Sequence, residues 1–134
     1  MKSLLKGGEK NSALGGVLET LRCSPFRRGF ALAPRDLRYT RGKGLNTIRE
    51  HAYTFIRARL GPALPLNDGK QTPMKGHPVF VAQHATATCC RRCLQRWHGI
   101  ERGRTLTEGE IEFIVDLIVA WILNCLTQGP EQPR

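Results

Sequence analysis

The sequence predicts a small, mainly α-helical protein folded as a single domain with a long central loop. Residues 45–60 and 107–126 each carry apolar side chains three and four positions apart, the spacing that lines one face of a helix. Residues 62–78 are rich in proline and glycine and predict the loop. With 134 residues, 40% of them hydrophobic, the chain has enough apolar side chains for one modest core.

The N-terminal part of the chain is expected to be loosely organised before its first long helix. Residues 1–20 are rich in glycine, serine and lysine and predict a flexible leader. Prolines and glycines then divide the chain into turns and one short helix that begins at Pro34. The helix predicted over 45–60 is ended by the pair Gly61 and Pro62.

Two short helices are predicted after the central loop. Pro78 can open a helix that runs through Ala85, although the apolar run "PVFVA" also fits a strand. A second helix is predicted to begin after Thr86 or Thr88, because either hydroxyl can cap it, and to end at Gly99.

The last predicted helix is the most apolar segment of the chain. Thr107 and Glu110 have the spacing of a capping box at its start, and Thr105 with Glu108 offers a rival register. Its apolar residues extend most of the way round, which predicts a core element or a homodimer contact. The whole chain is thus expected to comprise a leader over 1–20, a helical domain over 21–127 and a solvated tail over 128–134.

The distribution of charge predicts an attraction for polyanions. The formal net charge is +10, and 20 of the 21 lysines and arginines lie in residues 1–104. Such a basic surface can bind nucleic acid by neutralising its phosphates. The candidate anion-binding residues are Lys70, Arg91, Arg92 and Arg96. The alternative interpretation is a solvated helix face without a specific ligand.

Several features predict a soluble, cytoplasmic protein. No stretch reaches the roughly 18 uninterrupted apolar residues that span a bilayer. The first residues, "MKSLLKGGEKNSALGG", lack the continuous apolar core of a secretory signal. Five cysteines, an odd number with three of them clustered, fit metal or redox chemistry in a reducing compartment better than a set of disulfides.

The stretch "HPVFVAQHATATCCRRCLQRWHG" predicts a metal site. It contains a C-x-x-C pair, which offers two thiolates from one turn, and histidines on both sides of it. The predicted ligands are His77, His84, Cys90, Cys93 and His98, with Cys89 as a further candidate. Zn²⁺ is the predicted ion, because three local cysteines fall one short of the four that usually hold an iron–sulfur cluster.

Two other interpretations of the same cysteines stay open. Cys89 or Cys90 can be a reactive thiolate near a helix N-terminus, activated by neighbouring arginines and paired with a histidine for nucleophilic or redox chemistry. Alternatively, the cysteines are buried side chains that pack beside Trp97. If the site is catalytic, Cys89 and Asp68 are the candidate nucleophile and base, although Asp68 in "NDG" is also a typical turn residue.

The segment "LNDGKQTPMKGHPVFVAQHATATCCRRCLQRWHGI" resembles the core of the domain-of-unknown-function 4186 family. The likeness continues upstream in "FRRGF", "RDLRY" and "KGLNTIREHAYTFI" and downstream in "LTEGEIEFIVDLIVAWI", from about residue 22 to 122. Arg92 and Leu66 depart from the pattern, which has a small residue and a proline there. The resemblance implies a bacterial, cytosolic protein and one functional unit over 67–98, and it implies no particular reaction.

Overall fold

The computed structural model describes residues 7–128, with side chains from residue 12 onward, and this range contains helices and no strand. The prediction of a small, mainly helical fold is therefore confirmed. In chain order the helices are α1 (Gly7–Arg22), α2 (Pro25–Arg28), α3 (Pro34–Lys43), α4 (Leu45–Arg59), α5 (Pro78–Ala85), α6 (Arg91–His98) and α7 (Glu108–Gln128).

Helix α7 is the centre of the fold and packs against α4, α5 and α1. Its side chains Ile114, Ile118 and Ile122 are completely buried against residues such as Ile48 and Ile56 of α4. An apolar helix surface is stable in water only where another element covers it. Because α7 has neighbours on several sides, most of its apolar surface up to Ile122 lies in the core of this chain, whereas Leu123 is 43% exposed.

Several of the predicted helix ends are confirmed. Pro34 stands at the first position of α3, and α4 begins at Leu45. The capping box before α7 uses the Thr107 register: the Thr107 hydroxyl accepts from the Glu110 N–H at 3.1 Å, and the Glu110 carboxylate accepts from the Thr107 N–H at 2.9 Å. The capping box thereby pairs two N–H groups at the helix start that have no partner within the helix.

The leader prediction is wrong where the chain is described, because residues 7–22 form helix α1. Leu14, Leu18 and Leu21 lie on one face of α1 and are buried with Leu117 of α7 in a second apolar cluster. This packing holds the segment in place. Residues 1–6 of the predicted leader, and all but the first residue of the predicted tail, lie outside the described part of the chain.

Two details near the cysteines also differ from expectation. The run "PVFVA" is helical in α5, so the strand alternative is wrong. Helix α6 is capped by Cys90, whose Sγ accepts from the Cys93 N–H at 3.5 Å, and not by Thr86 or Thr88. The Thr86 hydroxyl donates instead to the Ala82 carbonyl at 2.7 Å, which extends the end of α5.

Within the described range, no helix combines the length and the apolar character that crossing a membrane requires.

Candidate metal centre

The turn between α5 and α6 brings three cysteines to the start of α6. Ala87 adopts a left-handed conformation, with φ of 59°, and reverses the chain direction. The buried Gln83 side chain holds the turn by donating to the Thr88 carbonyl at 3.0 Å. Thr72, from the long loop, donates to the Cys89 carbonyl at 2.8 Å. Backbone geometry therefore fixes where the cysteine side chains lie.

The sulfur atoms of Cys89, Cys90 and Cys93 all lie within 4.8 Å of one another. The Sγ atoms of Cys89 and Cys93 are 3.7 Å apart. Cys89 and Cys90 expose only 8% and 6% of their surface, and Cys93 is half-buried. All three are free thiols in this structure. Such a group can hold a thiophilic metal ion, because one ion can reach all three sulfurs.

A buried arginine from a distant part of the chain contacts this group. Arg27 of α2 donates to the Cys93 Sγ at 3.3 Å and lies 3.9 Å from the Cys89 Sγ. It also donates to the His84 carbonyl at 2.6 Å and is 8% exposed. A guanidinium stays charged in proteins, so it places a fixed positive charge beside the sulfurs. Spacing in the sequence gives no sign of this role.

Without a metal, the two inner thiols hold their protons firmly. The hydrogen bond with Cys90 raises the pKa of Cys89, and burial raises it as well. Cys93 and Arg27 lower this pKa, but by less, so the net shift is upward. The hydrogen bond with Cys89 lowers the pKa of Cys90. Cys93 and burial raise this pKa by more, so it also lies above the ordinary thiol value. A metal must therefore displace these protons when it binds.

His77, expected as a ligand, lies in another part of the fold. It caps α5, where its Nδ1 accepts from the Val79 N–H at 3.0 Å. Nε2 must then carry the proton, which it donates to Nδ1 of His51 at 3.0 Å. The rings of Phe55 and Phe80 lie 5.1 and 5.6 Å from its ring centre. Burial lowers the pKa of His77 to about 4, with a smaller contribution from His51.

His84 and His98 also have other partners, and neither belongs to the group of three sulfurs. Nε2 of His84 lies 3.2 Å from the Thr72 and Pro73 carbonyls, and its ring stacks on Phe30 at 5.7 Å. Nε2 of His98 lies 2.7 Å from the Thr86 carbonyl. A carbonyl only accepts, so both Nε2 atoms are protonated. The structure therefore brings together the cysteines and not the five predicted ligands.

Asp68 has a structural role in the central loop. Its carboxylate accepts from the Gln71 side chain at 2.9 Å and from the Arg91 N–H at 3.1 Å, and it pairs with Arg102. Burial raises the pKa of Asp68, but these hydrogen bonds and nearby arginines outweigh it and hold the pKa below its usual value. A carboxylate held in this way is a weak base, which favours the turn interpretation over the catalytic one.

Arg91 is not part of an anion-binding surface. It is 1% exposed, and its guanidinium donates to four backbone carbonyls at 2.8–3.0 Å, those of Leu60, Pro62, Glu101 and Arg104. It thereby joins the end of α4 to the segment before α7. The other predicted anion-binding residues, Lys70, Arg92 and Arg96, are exposed.

Comparison with known protein families gives a match over most of the chain. A family model described as "Domain of unknown function (DUF4186)" matches residues 16–123. The match runs from the middle of α1 into α7 and includes the three cysteines and Arg27. No solved structure matches the chain.

Proposed function

The chain belongs to the DUF4186 family, and we propose that it binds one zinc ion through Cys89, Cys90 and Cys93. The observation that carries this proposal is the convergence of the three sulfurs within 4.8 Å of one another. Zinc prefers thiolate ligands, and a C-x-x-C pair from one turn is a common source of two of them. The third comes from the residue just before the pair.

Arg27 supports the proposal through its charge. Three thiolates and Zn²⁺ carry a net charge of −1, which is costly to bury without compensation. The guanidinium 3.3 Å from the Cys93 sulfur offsets that charge. Hydrogen bonds from a charged donor to thiolates are also stronger than those between neutral groups.

Three protein ligands leave one position of a tetrahedral zinc site for water or another small ligand. Zinc centres of that kind are found in enzymes, where the ion activates the bound water. Cys93 is the half-buried member of the group, so the fourth position is expected on its side. The His84 backbone carbonyl shares the Arg27 guanidinium with the sulfurs, so His84 is the histidine to test first as a fourth ligand.

The test is the metal content of protein purified without oxygen and without added metal. We expect about one equivalent of zinc in the wild type and in Cys23→Ser, since Cys23 is exposed and is not one of the three grouped sulfurs. Cys90→Ser and Cys93→Ser should lose it. Zinc retained in His77→Ala, His84→Ala and His98→Ala would assign the ligands to the cysteines alone, whereas loss in His84→Ala would make that histidine the fourth ligand.

Other outcomes would contradict the proposal. Bound iron with visible absorption would indicate a cluster and electron transfer. If the reduced protein binds no zinc even when zinc is added, the sulfurs are free thiols. Rapid labelling of one cysteine at neutral pH, lost in Cys93→Ser, would then favour the redox alternative.

A second candidate function is the binding of nucleic acid or another polyanion. Arg92 and Arg96 are exposed one turn apart on α6, and neither forms an ion pair with any described residue. Lys70 is exposed on the central loop. Retention on a DNA column that falls steeply with salt, and is weakened in the Arg92→Ala, Arg96→Ala double variant, would support this candidate. Arg91→Ala is no substitute, because that side chain is buried.

A further inference from the structure

A cavity of about 270 Å³ lies between α1, α6 and α7. Its lining residues are Val17, Thr20, Leu21, Trp97, His98 and Phe113. Pockets for drug-sized molecules usually have about 300–1,000 Å³, so this one suits a smaller molecule. It is separate from the sulfur group, although Arg27 lies between them, 5.8 Å from the Trp97 ring centre.

The walls of the cavity favour a flat, apolar occupant. Trp97 and Phe113 contribute aromatic rings, and Val17 and Leu21 contribute aliphatic groups. The His98 and Phe113 rings meet edge to face, with centroids 5.6 Å apart and planes at 71°. This contact fixes both rings, and aromatic rings gain most from a neighbouring ring that stacks or meets them by its edge.

Nδ1 of His98 is a hydrogen-bond acceptor in this mostly apolar lining. Because Nε2 carries the proton that the Thr86 carbonyl accepts, Nδ1 has a free lone pair. Nδ1 has no hydrogen-bond partner in the described part of the chain. The buried side-chain atoms without a partner there are Gln83 Oε1 and Arg91 Nε, so Nδ1 is open to solvent. The open space that His98 lines is this cavity.

The Thr20 hydroxyl is a second acceptor in the lining, and the Trp97 indole N–H is a donor. The Thr20 hydroxyl gives its proton to the Gly16 carbonyl at 3.1 Å, which leaves its oxygen lone pairs. Burial lowers the pKa of His98, so its ring is neutral at pH 7 and Nδ1 keeps its lone pair. An occupant that satisfies these two acceptors must therefore bring a hydrogen-bond donor.

We propose that this cavity binds a small planar aromatic molecule with a ring N–H, which stacks against Trp97 and Phe113 and donates its N–H to Nδ1 of His98. The site does not depend on the metal. Its ligand class is a neutral nitrogen heterocycle of one or two fused rings, the size that fits a volume of about 270 Å³.

The test uses indole as the probe and 1-methylindole as its match without the N–H. Ligand-observed NMR titrations of the whole protein should show saturable binding of indole. Binding of 1-methylindole should be about 3–10-fold weaker, which corresponds to one hydrogen bond. Indole should also shift the ¹⁵N resonance of His98 Nδ1, while Nε2 changes little.

Variants with larger side chains in the cavity test whether indole binds there. Thr20→Trp and Val17→Phe introduce larger side chains from α1, and either should weaken indole binding about tenfold or more. Glu19→Trp is the matched control, because Glu19 is exposed and does not line the cavity. A melting curve shows whether each filling variant folds. Two such variants are used, so the test does not fail if one of them does not fold.

Three results would overturn the proposal. The first is the absence of saturable indole binding to the wild type. The second is unchanged binding in the filling variants. The third is equal affinity for indole and 1-methylindole without a shift of the His98 Nδ1 resonance, which would remove the assigned hydrogen bond.

Discussion

Nη2 of Arg27 donates to the Sγ of Cys93 at 3.3 Å, although the two residues are 66 positions apart. Helix α2 consists of only four residues, and the Ser24 side chain caps it by accepting from the Arg27 N–H at 3.2 Å. The short helix thus presents one charged side chain to the sulfur group. A buried cation beside buried thiols is stable when the sulfurs carry negative charge, as they do with a bound metal.

Removal of this charge should weaken metal binding. We expect Arg27→Ala to lower zinc affinity by about tenfold or more, because the negative charge of the zinc–thiolate group then lacks compensation. The zinc affinity of Arg27→Lys should lie between those of the wild type and Arg27→Ala, since a lysine keeps the charge but not the forked geometry. Competition with a chromophoric chelator measures the affinity. Arg28→Ala is the matched control, because Arg28 is exposed; a tenfold loss there too would mean that only overall charge matters.

Arg91 and Arg92 should differ sharply in their effect on stability. Arg91→Met leaves four backbone carbonyls without their donor, and each buried unpaired group costs about 1–3 kcal/mol. We therefore expect a loss of about 2–4 kcal/mol in the free energy of unfolding, because the bond to the Leu60 carbonyl is buried and the other three are partly buried. Arg92→Met should stay within about 0.5 kcal/mol, because that side chain is exposed. Urea unfolding of both variants checks this, and equal losses would contradict the role of Arg91.

His77 should make the fold sensitive to mild acid. Its pKa is about 4 in the folded protein and 6.5 in a solvated chain, so the unfolded state binds the proton more readily. The contribution to stability is complete above pH 6.5 and is lost as the pH falls from 6.5 towards 4. His77→Asn keeps an acceptor for the Val79 N–H but does not titrate. The wild type should therefore lose more stability than this variant over that range, and parallel curves would contradict the prediction.

Helix α1 should contribute to global stability. Leu18 is buried among α1 and α7 side chains, so Leu18→Ala should lower the free energy of unfolding by about 2–4 kcal/mol. Glu19→Ala, at the neighbouring exposed position, should change it little. A negligible effect of Leu18→Ala in thermal or urea unfolding would show that α1 opens independently of the rest.

The elements with a clear apolar period could be predicted from the sequence, and α1 could not. Helix α4 buries one regular stripe, α7 buries a wider apolar surface, and the capping box marks the start of α7. In α1, Gly15 and Gly16 interrupt the pattern, and each costs a helix about 1 kcal/mol relative to alanine. Packing against Leu117 outweighs this cost. That compensation depends on tertiary contacts, which no local pattern encodes.

The same distinction applies to the site. The three cysteines lie within five residues, so their spacing predicts their meeting. The histidines were expected to fold back onto them, but backbone carbonyls of Thr72, Pro73 and Thr86 engage two of the rings. Those partners, like Arg27, come from distant segments or from the turn itself. Proximity in sequence therefore indicated the cluster of sulfurs and overstated the approach of the histidines to it.

The burial of the inner cysteines has a kinetic consequence. Cys89 and Cys90 expose under a tenth of their surface, and the Thr72 hydrogen bond ties the long loop to the Cys89 backbone. In the proposed zinc centre, an ion arriving from solvent would meet the half-buried Cys93 first and would reach the other two sulfurs only as this region opens. Exchange of a bound ion is then limited by the opening rate rather than by affinity. A centre of this kind retains its metal through dilution and chelator washes far longer than its dissociation constant alone implies.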